Sequence, residues 1–242
     1  GDVFYLHARL LERATQLRPE RGGGSLTALP ILETQEQNVS AFIPTNLISI
    51  TDGQIVLSAA LAARGVLPAV DVGRSVSRVG GKAQLPAYRA VAAPLRLAYA
   101  QFEELERFAR FGADVDEETR RTLRRGRRVR EALGQGALET VPVCEQIATL
   151  LAASEGALDD VPPDDVAQVE GRLRRAVRGE HEALCARLEA GEPLRDDDRE
   201  TLLTLARRVV GDVAPPRPRG ADGDGSGGRP SGARDEDGSS GG

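Results

Sequence analysis

Arg78 is the residue of this protein whose setting most clearly suggests chemistry. It stands in the stretch DVGRSVSRVGGKAQ, residues 71–84, among small side chains and just before a glycine pair. A guanidinium keeps its charge and carries several N–H donors, so it is rarely buried without a partner. Two partners are compatible with the sequence. An acid of the same chain, such as Asp71 or Asp52, would make Arg78 structural, whereas an anion on another chain would make it functional.

The segment GGKAQ, residues 80–84, does not complete a phosphate-binding loop. Such a loop requires a glycine five residues before its Gly-Lys pair and a Ser or Thr after it. Those places hold Val76 and Ala83. Outside the low-complexity residues 214–242, the sequence also contains neither a GxSxG motif nor a plausible catalytic triad. It therefore predicts no phosphate cradle and no complete catalytic centre within these residues.

The cysteines and histidines do not have the spacing of a metal site. Cys144 and Cys185 form no CxxC pair, and His7 and His181 form no HExxH motif. We expect both cysteines to be reduced, small core residues, which indicates a reducing compartment. A disulfide between them is the alternative. We expect His7 to be packed or interfacial rather than catalytic.

Seven arginines lie between Arg120 and Arg130. They could form a track for phosphates, or a solvated helix face neutralised by neighbouring acids such as Glu117 and Glu118. No aromatic residues alternate with these arginines, and the net charge of the protein is −5. Both observations favour the solvated face. The sequence therefore predicts no nucleic-acid partner.

Composition limits the kind of core that this sequence can build. The 242 residues are 40% hydrophobic but only 3% aromatic, with no Trp, so the core must be aliphatic. No run of about eighteen apolar residues is present, and we expect contact with a membrane only through partners. The sequence has no methionine and begins with Gly1. We interpret it as a piece of a longer protein, with exposure of Gly1 by processing as the alternative.

Residues 1–83 alternate helix and strand patterns, as in part of an α/β sheet. We predict a helix over residues 1–17, a strand over SLTALPILET and a hairpin over LISITDGQIVL, with Asp52-Gly53 as its turn. A short helix at residues 58–64 and a strand over LPAVDVG would follow. These few strands would leave open edges, which again indicates an incomplete domain.

Residues 84–213 have the pattern of a helical bundle. The first helix is expected to kink or split at Pro94. Its predicted buried stripe has helical spacing and consists of Leu95, Tyr99, Phe102, Leu105 and Phe108. Five more amphipathic helices follow, the first of them capped by Asp114 or Asp116. Residues 214–242 are of low complexity and are predicted to be a disordered tail.

Several long segments resemble the alpha-subunit family of F-type ATP synthases. They are SAFIPTNLISITDGQIVL, LPAVDVGRSVSRVGG, AQFEELERFARFGADVDEETRRTLRRG, GDVFYLHARLLERA and GGGSLTALPILETQ. The resemblance runs from Gly1 to about Val210, and LPAVDVGRSVSRVGGKAQLPAYRAV is similar to the alternate, N-type branch. It implies an α/β remnant of a P-loop-type nucleotide-binding domain (residues 1–83), entered after the P-loop and the Walker B aspartate. An all-α helical bundle domain (residues 84–213) and the disordered tail would follow.

The resemblance also implies partners and roles. The family forms a hexamer of alternating alpha and beta subunits around a gamma shaft, at the cytoplasmic face of the bacterial plasma membrane. It makes or hydrolyses ATP in step with proton or other ion transport, through a membrane-embedded rotor and stator. Arg78 matches the arginine finger that alpha extends into the catalytic site of beta, and Ser49 matches the serine that approaches the same site. Alpha itself is then non-catalytic and regulatory.

The resemblance places a second, non-catalytic nucleotide site on alpha, and only part of it matches here. Gln135 matches one adenine-pocket glutamine and Pro68 matches the pocket proline. The second glutamine falls on Ala137, and the arginine and aromatic that line the pocket fall on Leu67 and Ala62. We therefore expect ATP or ADP with Mg in the full complex, but no cofactor or metal on this chain alone.

Two functions follow from these matches. The first is a subunit of an enzyme complex that acts at its partner's catalytic site. The second is a truncated, alpha-like interaction module with no role in turnover. An upstream reading frame that encodes a GxxxxGK[ST] segment would favour the first.

Overall fold

The computed structural model describes residues 3–109 and 116–213. Its N-terminal part has three α-helices and two short antiparallel strand pairs, with few buried side chains. In sequence order the elements are α1 (Val3–Leu11), β1 (Thr15–Gln16), β2 (Ser25–Leu26), α2 (Phe42–Ile50), β3 (Gly53–Gln54), α3 (Ala59–Ala63) and β4 (Val76–Ser77). Thr15 pairs with Leu26, and Gly53 pairs with Ser77.

The predicted hairpin over LISITDGQIVL is wrong. Its first half is the end of α2, and Gly53 pairs with β4 rather than with its neighbours in sequence. A short apolar run fits a buried strand and a buried helix equally well. Here the helix is possible because Pro44 lies in its first turn, where the missing N–H has no helical partner.

The other predicted strands are mostly absent from the described residues. SLTALPILET contributes only the two residues of β2, and LPAVDVG contributes only a single bridge from Val70 to Leu57. Helix α1 also ends at Leu11, well before residue 17. Beyond β2 the backbone is irregular, and Leu29 and Ile31 are 84% and 98% exposed. A strand forms only against a partner strand, and residues 27–34 have none among the described residues.

The short helix near residue 58 is confirmed as α3. The Ser58 hydroxyl accepts a hydrogen bond from the Leu61 amide at 3.4 Å, which caps the first turn. The side chain of Leu61 is buried. This helix therefore has both a local start signal and an apolar anchor.

The predicted helical bundle is present and contains nearly all of the core. Its helices are α4 (Pro86–Ala109), α5 (Glu117–Ala132), α6 (Val143–Ser154), α7 (Pro163–Glu180), α8 (Glu182–Glu189) and α9 (Asp196–Val213). Helix α6 lies at the centre and packs against the other five. Its buried residues are mostly small or aliphatic, so neighbouring helices approach it closely.

Helix α4 runs through Pro94, so the predicted split is wrong. The predicted stripe is buried at Leu95, Tyr99 and Phe102, and Leu105 is partly buried. Phe108 is 63% exposed and lies outside the core. The stripe therefore follows helical spacing until the last turn of α4.

Helices α4 and α5 cross where Phe102 meets Gly126. A Cβ atom on Gly126 would lie 2.0 Å from the Phe102 ring. The glycine therefore leaves the space that the buried phenylalanine occupies.

The solvated-face interpretation of the α5 arginines is confirmed only in part. Four of the seven are exposed, whereas Arg128 is buried and Arg125 and Arg130 are partly buried. Glu117 forms ion pairs with Arg120 and Arg124, at 3.1 and 2.9 Å. Farther along α5, other arginines reach acids of neighbouring helices and loops. Asp116 caps α5, since its carboxylate accepts from the Thr119 amide at 2.8 Å. The other proposed cap, Asp114, lies outside the described residues.

The prediction of two reduced cysteines is wrong in one respect. Cys144 on α6 and Cys185 on α8 are both buried, as expected, but they are joined in a disulfide. The two helices bring the Cα atoms to 5.0 Å, which is within the range for a disulfide. The cysteines are 41 residues apart in sequence, and only the packing of the helices reveals that they meet. The inference of a reducing compartment loses its basis.

No helix within residues 3–109 and 116–213 is long and apolar enough to cross a membrane. The predicted tail, residues 214–242, lies outside the described residues.

A candidate interface site around Arg78

Arg78 directly follows β4, and its side chain is exposed. Its backbone amide donates a hydrogen bond to the carbonyl of Asp52 at 2.8 Å. That bond extends the β3–β4 pairing by one residue, so the arginine starts from a backbone that is held by its neighbouring strand. Arg78 is therefore presented from the end of a short strand.

The guanidinium of Arg78 is held by the end of a helix. It donates to the carbonyl of Ile48 at 2.8 Å and to the carbonyl of Ser49 at 3.2 Å. Both carbonyls belong to the last turn of α2, where helical carbonyls lack partners and the helix dipole is negative. Such an end attracts a cation without neutralising it.

Neither acid proposed as an intrachain partner plays that role. Arg78 forms no ion pair with any residue in the part of the protein that the structure describes. Asp52 contacts it only through the backbone carbonyl. The carboxylate of Asp71 instead accepts from the backbone amide of Arg74 at 3.0 Å. Among the described residues, the charge of Arg78 therefore stays uncompensated at the surface.

The structure brings together Ser49 and Arg78, which lie 29 residues apart in the sequence. Ser49 contributes its carbonyl, because its hydroxyl donates to the carbonyl of Asn46 at 2.7 Å within α2. A guanidinium carries five N–H donors, and the described residues engage two of its nitrogens through these carbonyls. The site can thus offer a fixed, charged donor group to an anion outside the chain.

Ser75 holds the segment that leads to Arg78, a role that sequence reasoning missed. Its hydroxyl donates to the carbonyl of Asp71 at 2.6 Å and accepts from the amide of Val56 at 3.0 Å. The carbonyl of Ser75 accepts from the Arg96 guanidinium at 3.4 Å, which connects the segment to α4. The arginine is therefore linked to the helical bundle.

Two acids lie close together beneath this segment. Burial raises the pKa of the Glu103 carboxyl on α4, and the nearby charge of Asp71 raises it further. The Arg130 and Arg107 guanidinium groups oppose this rise. Glu103 is therefore easier to protonate than an ordinary surface glutamate.

The residues predicted for a second nucleotide site also lie together. The backbone amide of Gln135 donates to the carbonyl of Leu67 at 3.0 Å, beside the cis Leu67–Pro68 bond. The side chain of Gln135 donates to the carbonyl of Glu139. Its carboxamide donor is thus already engaged within the protein. No cluster of acids, histidines or cysteines in the described ranges could hold a metal ion.

Comparison with known families matches almost all of the described residues. The nucleotide-binding domain of the ATP synthase alpha/beta family matches residues 1–77. The C-terminal domain of the ATP synthase alpha/beta chain matches residues 84–209, which is more than half of this protein.

Curated relatives carry the same family name. ATP synthase subunit alpha 2 of Syntrophus aciditrophicus is 60% identical over 222 residues, which cover 92% of this chain and 43% of the relative. ATP synthase subunit alpha 1 of Rhodopirellula baltica is 57% identical over 213 residues, covering 88% of this chain and 42% of the relative. The sequence thus spans less than half the length of these relatives. On the strength of both domain matches, it belongs to the ATP synthase alpha/beta family.

Proposed function

We propose that this chain is the C-terminal part of the alpha subunit of a rotary F-type ATP synthase. One observation of the structure supports this most directly: Arg78 is exposed, unneutralised by the described residues and held beside Ser49. The alpha-subunit names of its relatives agree with that role. We place the remnant of the P-loop-type nucleotide-binding domain at residues 1–83 and the helical bundle domain at residues 84–213. The tail then occupies residues 214–242.

The proposed role of Arg78 is electrostatic and is exerted at the site of a neighbouring beta subunit. There its guanidinium stabilises the charge that develops on the transferring phosphoryl group, as an arginine finger supplied in trans. Such groups contribute a factor of roughly 10³–10⁵ in rate. The α2 carbonyls fix the planar group before the nucleotide arrives, so little ordering is needed at the moment of reaction.

The proposed partners are beta subunits in an alternating hexamer and a gamma shaft. ATP or ADP with Mg is bound in that complex, whose turnover is coupled to ion transport through the membrane-embedded rotor and stator. We expect the subunit to be peripheral, at the cytoplasmic face of the bacterial plasma membrane. The non-catalytic site of the chain itself would be weak, because Ala62, Leu67 and Ala137 supply none of the family's pocket contacts.

Arg78→Ala in the full-length subunit, assembled with its beta and gamma partners, tests this function. We expect ATP hydrolysis to fall by about a thousandfold or more. Arg78→Lys is expected to rescue little, because an ammonium cannot reproduce the planar fork. Thermal midpoints of the subunit are expected to change little, since the side chain makes only two exposed hydrogen bonds to carbonyls among the described residues.

Arg74→Ala is the matched control, because Arg74 is exposed in the same segment and also donates to a carbonyl, that of Gln37 at 3.1 Å. We expect that variant to keep its rate. A complex that keeps its rate with Arg78→Ala while its thermal midpoint falls sharply would make Arg78 structural, and the proposal would be wrong.

The alternative is an alpha-like interaction module without a role in turnover. The replaced pocket positions, Ala62, Leu67 and Ala137, favour it, since they are compatible with a subunit that has lost nucleotide binding. An upstream reading frame without a GxxxxGK[ST] segment would support this alternative.

A further inference from the structure

We propose that Gly53 is a positioning residue for Arg78, because any side chain at this point would displace the strand that carries the arginine. The inference rests on the proposed function, since it concerns where the guanidinium is presented. The sequence pattern suggested that Gly53 serves a tight turn. Its place in the structure indicates a different reason for glycine: there is no room for a side chain at this point.

The space at Gly53 is filled by backbone. A Cβ atom there would lie 2.4 Å from the carbonyl oxygen of Val76 and 3.1 Å from the Cα atom of Ser77. Rotating a side chain would not relieve these contacts, because both atoms belong to the backbone. Gly53 does not have the left-handed backbone that would itself favour glycine. Alanine would therefore be tolerated by the local dihedral angles but not by strand β4.

The displaced atoms are those that place Arg78. Gly53 pairs with Ser77, and the next residue after β4 is Arg78 itself. The carbonyl of Asp52, the residue before Gly53, accepts from the amide of Arg78 at 2.8 Å. An alanine at position 53 would have to open this pairing to remove the contact with Val76. The opening would be transmitted directly to the arginine backbone.

The end of α2, on the other side of the site, is tied to β3, so β4 would have to take up the whole displacement. The hydroxyl of Thr51 contacts the carbonyls of Leu47 at 2.8 Å and Gly53 at 3.1 Å, and it joins the end of α2 to β3. The same turn of α2 supplies the two carbonyls that hold the guanidinium. Moving β4 away from β3 thus shifts the backbone of Arg78 relative to the α2 carbonyls that hold its guanidinium. A misplacement of about 1 Å in a catalytic arrangement can reduce the rate about a hundredfold.

Gly53→Ala in the full-length subunit, assembled with beta and gamma, tests this role. We expect kcat for ATP hydrolysis to fall by about a hundredfold, with KM unchanged because beta still binds the nucleotide. Gly73→Ala is the matched control. Gly73 lies in the same segment, lacks a left-handed backbone, and its added Cβ would lie at an ordinary 3.5 Å from the Asp71 carboxylate. We expect this control to keep its rate.

A double-substitution experiment separates positioning from general loss of structure. If Gly53 acts through Arg78, Gly53→Ala lowers the rate of the parent but has no further effect in an Arg78→Ala background. The same fold-loss in both backgrounds would overturn the inference. If the Gly53 variant does not assemble, Thr51→Val takes its place, because it removes the hydroxyl that joins α2 to β3. We expect the rate to fall by a smaller factor of about ten, and Thr51→Ser to restore it.

The outcomes also distinguish the two proposals. Full activity in Arg78→Ala would remove the proposed function. A large loss in Arg78→Ala with full activity in both Gly53→Ala and Thr51→Val would leave the function in place and overturn only the positioning role.

Discussion

At the scale of single residues, the backbone does at Arg78 what an acid would do in an ordinary ion pair. Two carbonyls at the end of α2 hold the guanidinium and leave its charge intact. A carboxylate partner would have held it too, but would have competed with any incoming anion. Resemblance to a family suggests Arg78 and Ser49 as site residues, whereas nothing in the sequence points to the carbonyl anchor. A carbonyl is the same in every residue, so no sequence pattern marks it.

Glu103 gives a second prediction at the residue scale, which concerns how the stability of the fold depends on pH. Burial and Asp71 raise its pKa above that of an unfolded glutamate. Its charged form therefore destabilises the fold at neutral pH, and this penalty disappears as the pH falls through the raised pKa. We expect Glu103→Gln to be more stable than the parent near pH 7 and equal to it in acid, where both side chains are neutral. Urea unfolding at a series of pH values measures the difference.

Glu104→Gln is the control for the Glu103 variant. Glu104 is the next residue of α4 and is exposed. A gain of stability that is equal in the two variants, or that persists in acid, would contradict the assignment to burial of Glu103.

At the scale of elements, the helices of the bundle were predictable and the strands were not. Helices α4 to α9 are marked in the sequence by apolar side chains that recur at helical spacing, and their hydrogen bonds are local. A strand such as the one predicted over residues 25–34 depends on hydrogen bonds to a neighbouring strand, and the sequence pattern does not show whether that strand is present. The run that ends in Ile50 shows the same limit, because its apolar residues suit a helix equally well.

The crossing of α4 and α5 gives a prediction at this scale. Gly126→Ala would push a methyl group into the Phe102 ring, which is fully buried and cannot swing into solvent. We expect a loss of about 1–3 kcal/mol in the free energy of unfolding, as for other overpacked cores. Denaturant unfolding of the protein measures it.

Gly171→Ala is the control, since Gly171 lies in the middle of α7 and its added Cβ would lie 3.8 Å from the end of the Arg175 side chain. Alanine is the better helix former, so this variant is expected to gain up to about 1 kcal/mol. A gain at Gly126 as well would show that the α4–α5 crossing has room to adjust.

At the scale of the whole molecule, the bundle is cross-linked through its centre. The Cys144–Cys185 disulfide joins the central helix α6 to α8 and closes a loop of 41 residues. Chain-entropy models give a stabilisation of about 4 kcal/mol for a loop of this length. We expect reductant to lower the free energy of unfolding by an amount of this order, as followed by urea unfolding monitored by circular dichroism.

The Cys144→Ala, Cys185→Ala double variant separates the cross-link from other effects of the reductant. Its stability is expected to be lower than that of the oxidised parent and indifferent to reductant. A parent whose stability does not respond to reductant would contradict a contribution from this bond.

The irregular stretch after β2 has a consequence for the behaviour of the protein in solution. Leu29 and Ile31 expose apolar side chains to solvent, and residues 27–34 belong to no strand pair among the described residues. Two molecules that meet there would remove apolar area from solvent. We expect these side chains to favour self-association of the isolated protein, which a net charge of −5 over 242 residues opposes only weakly.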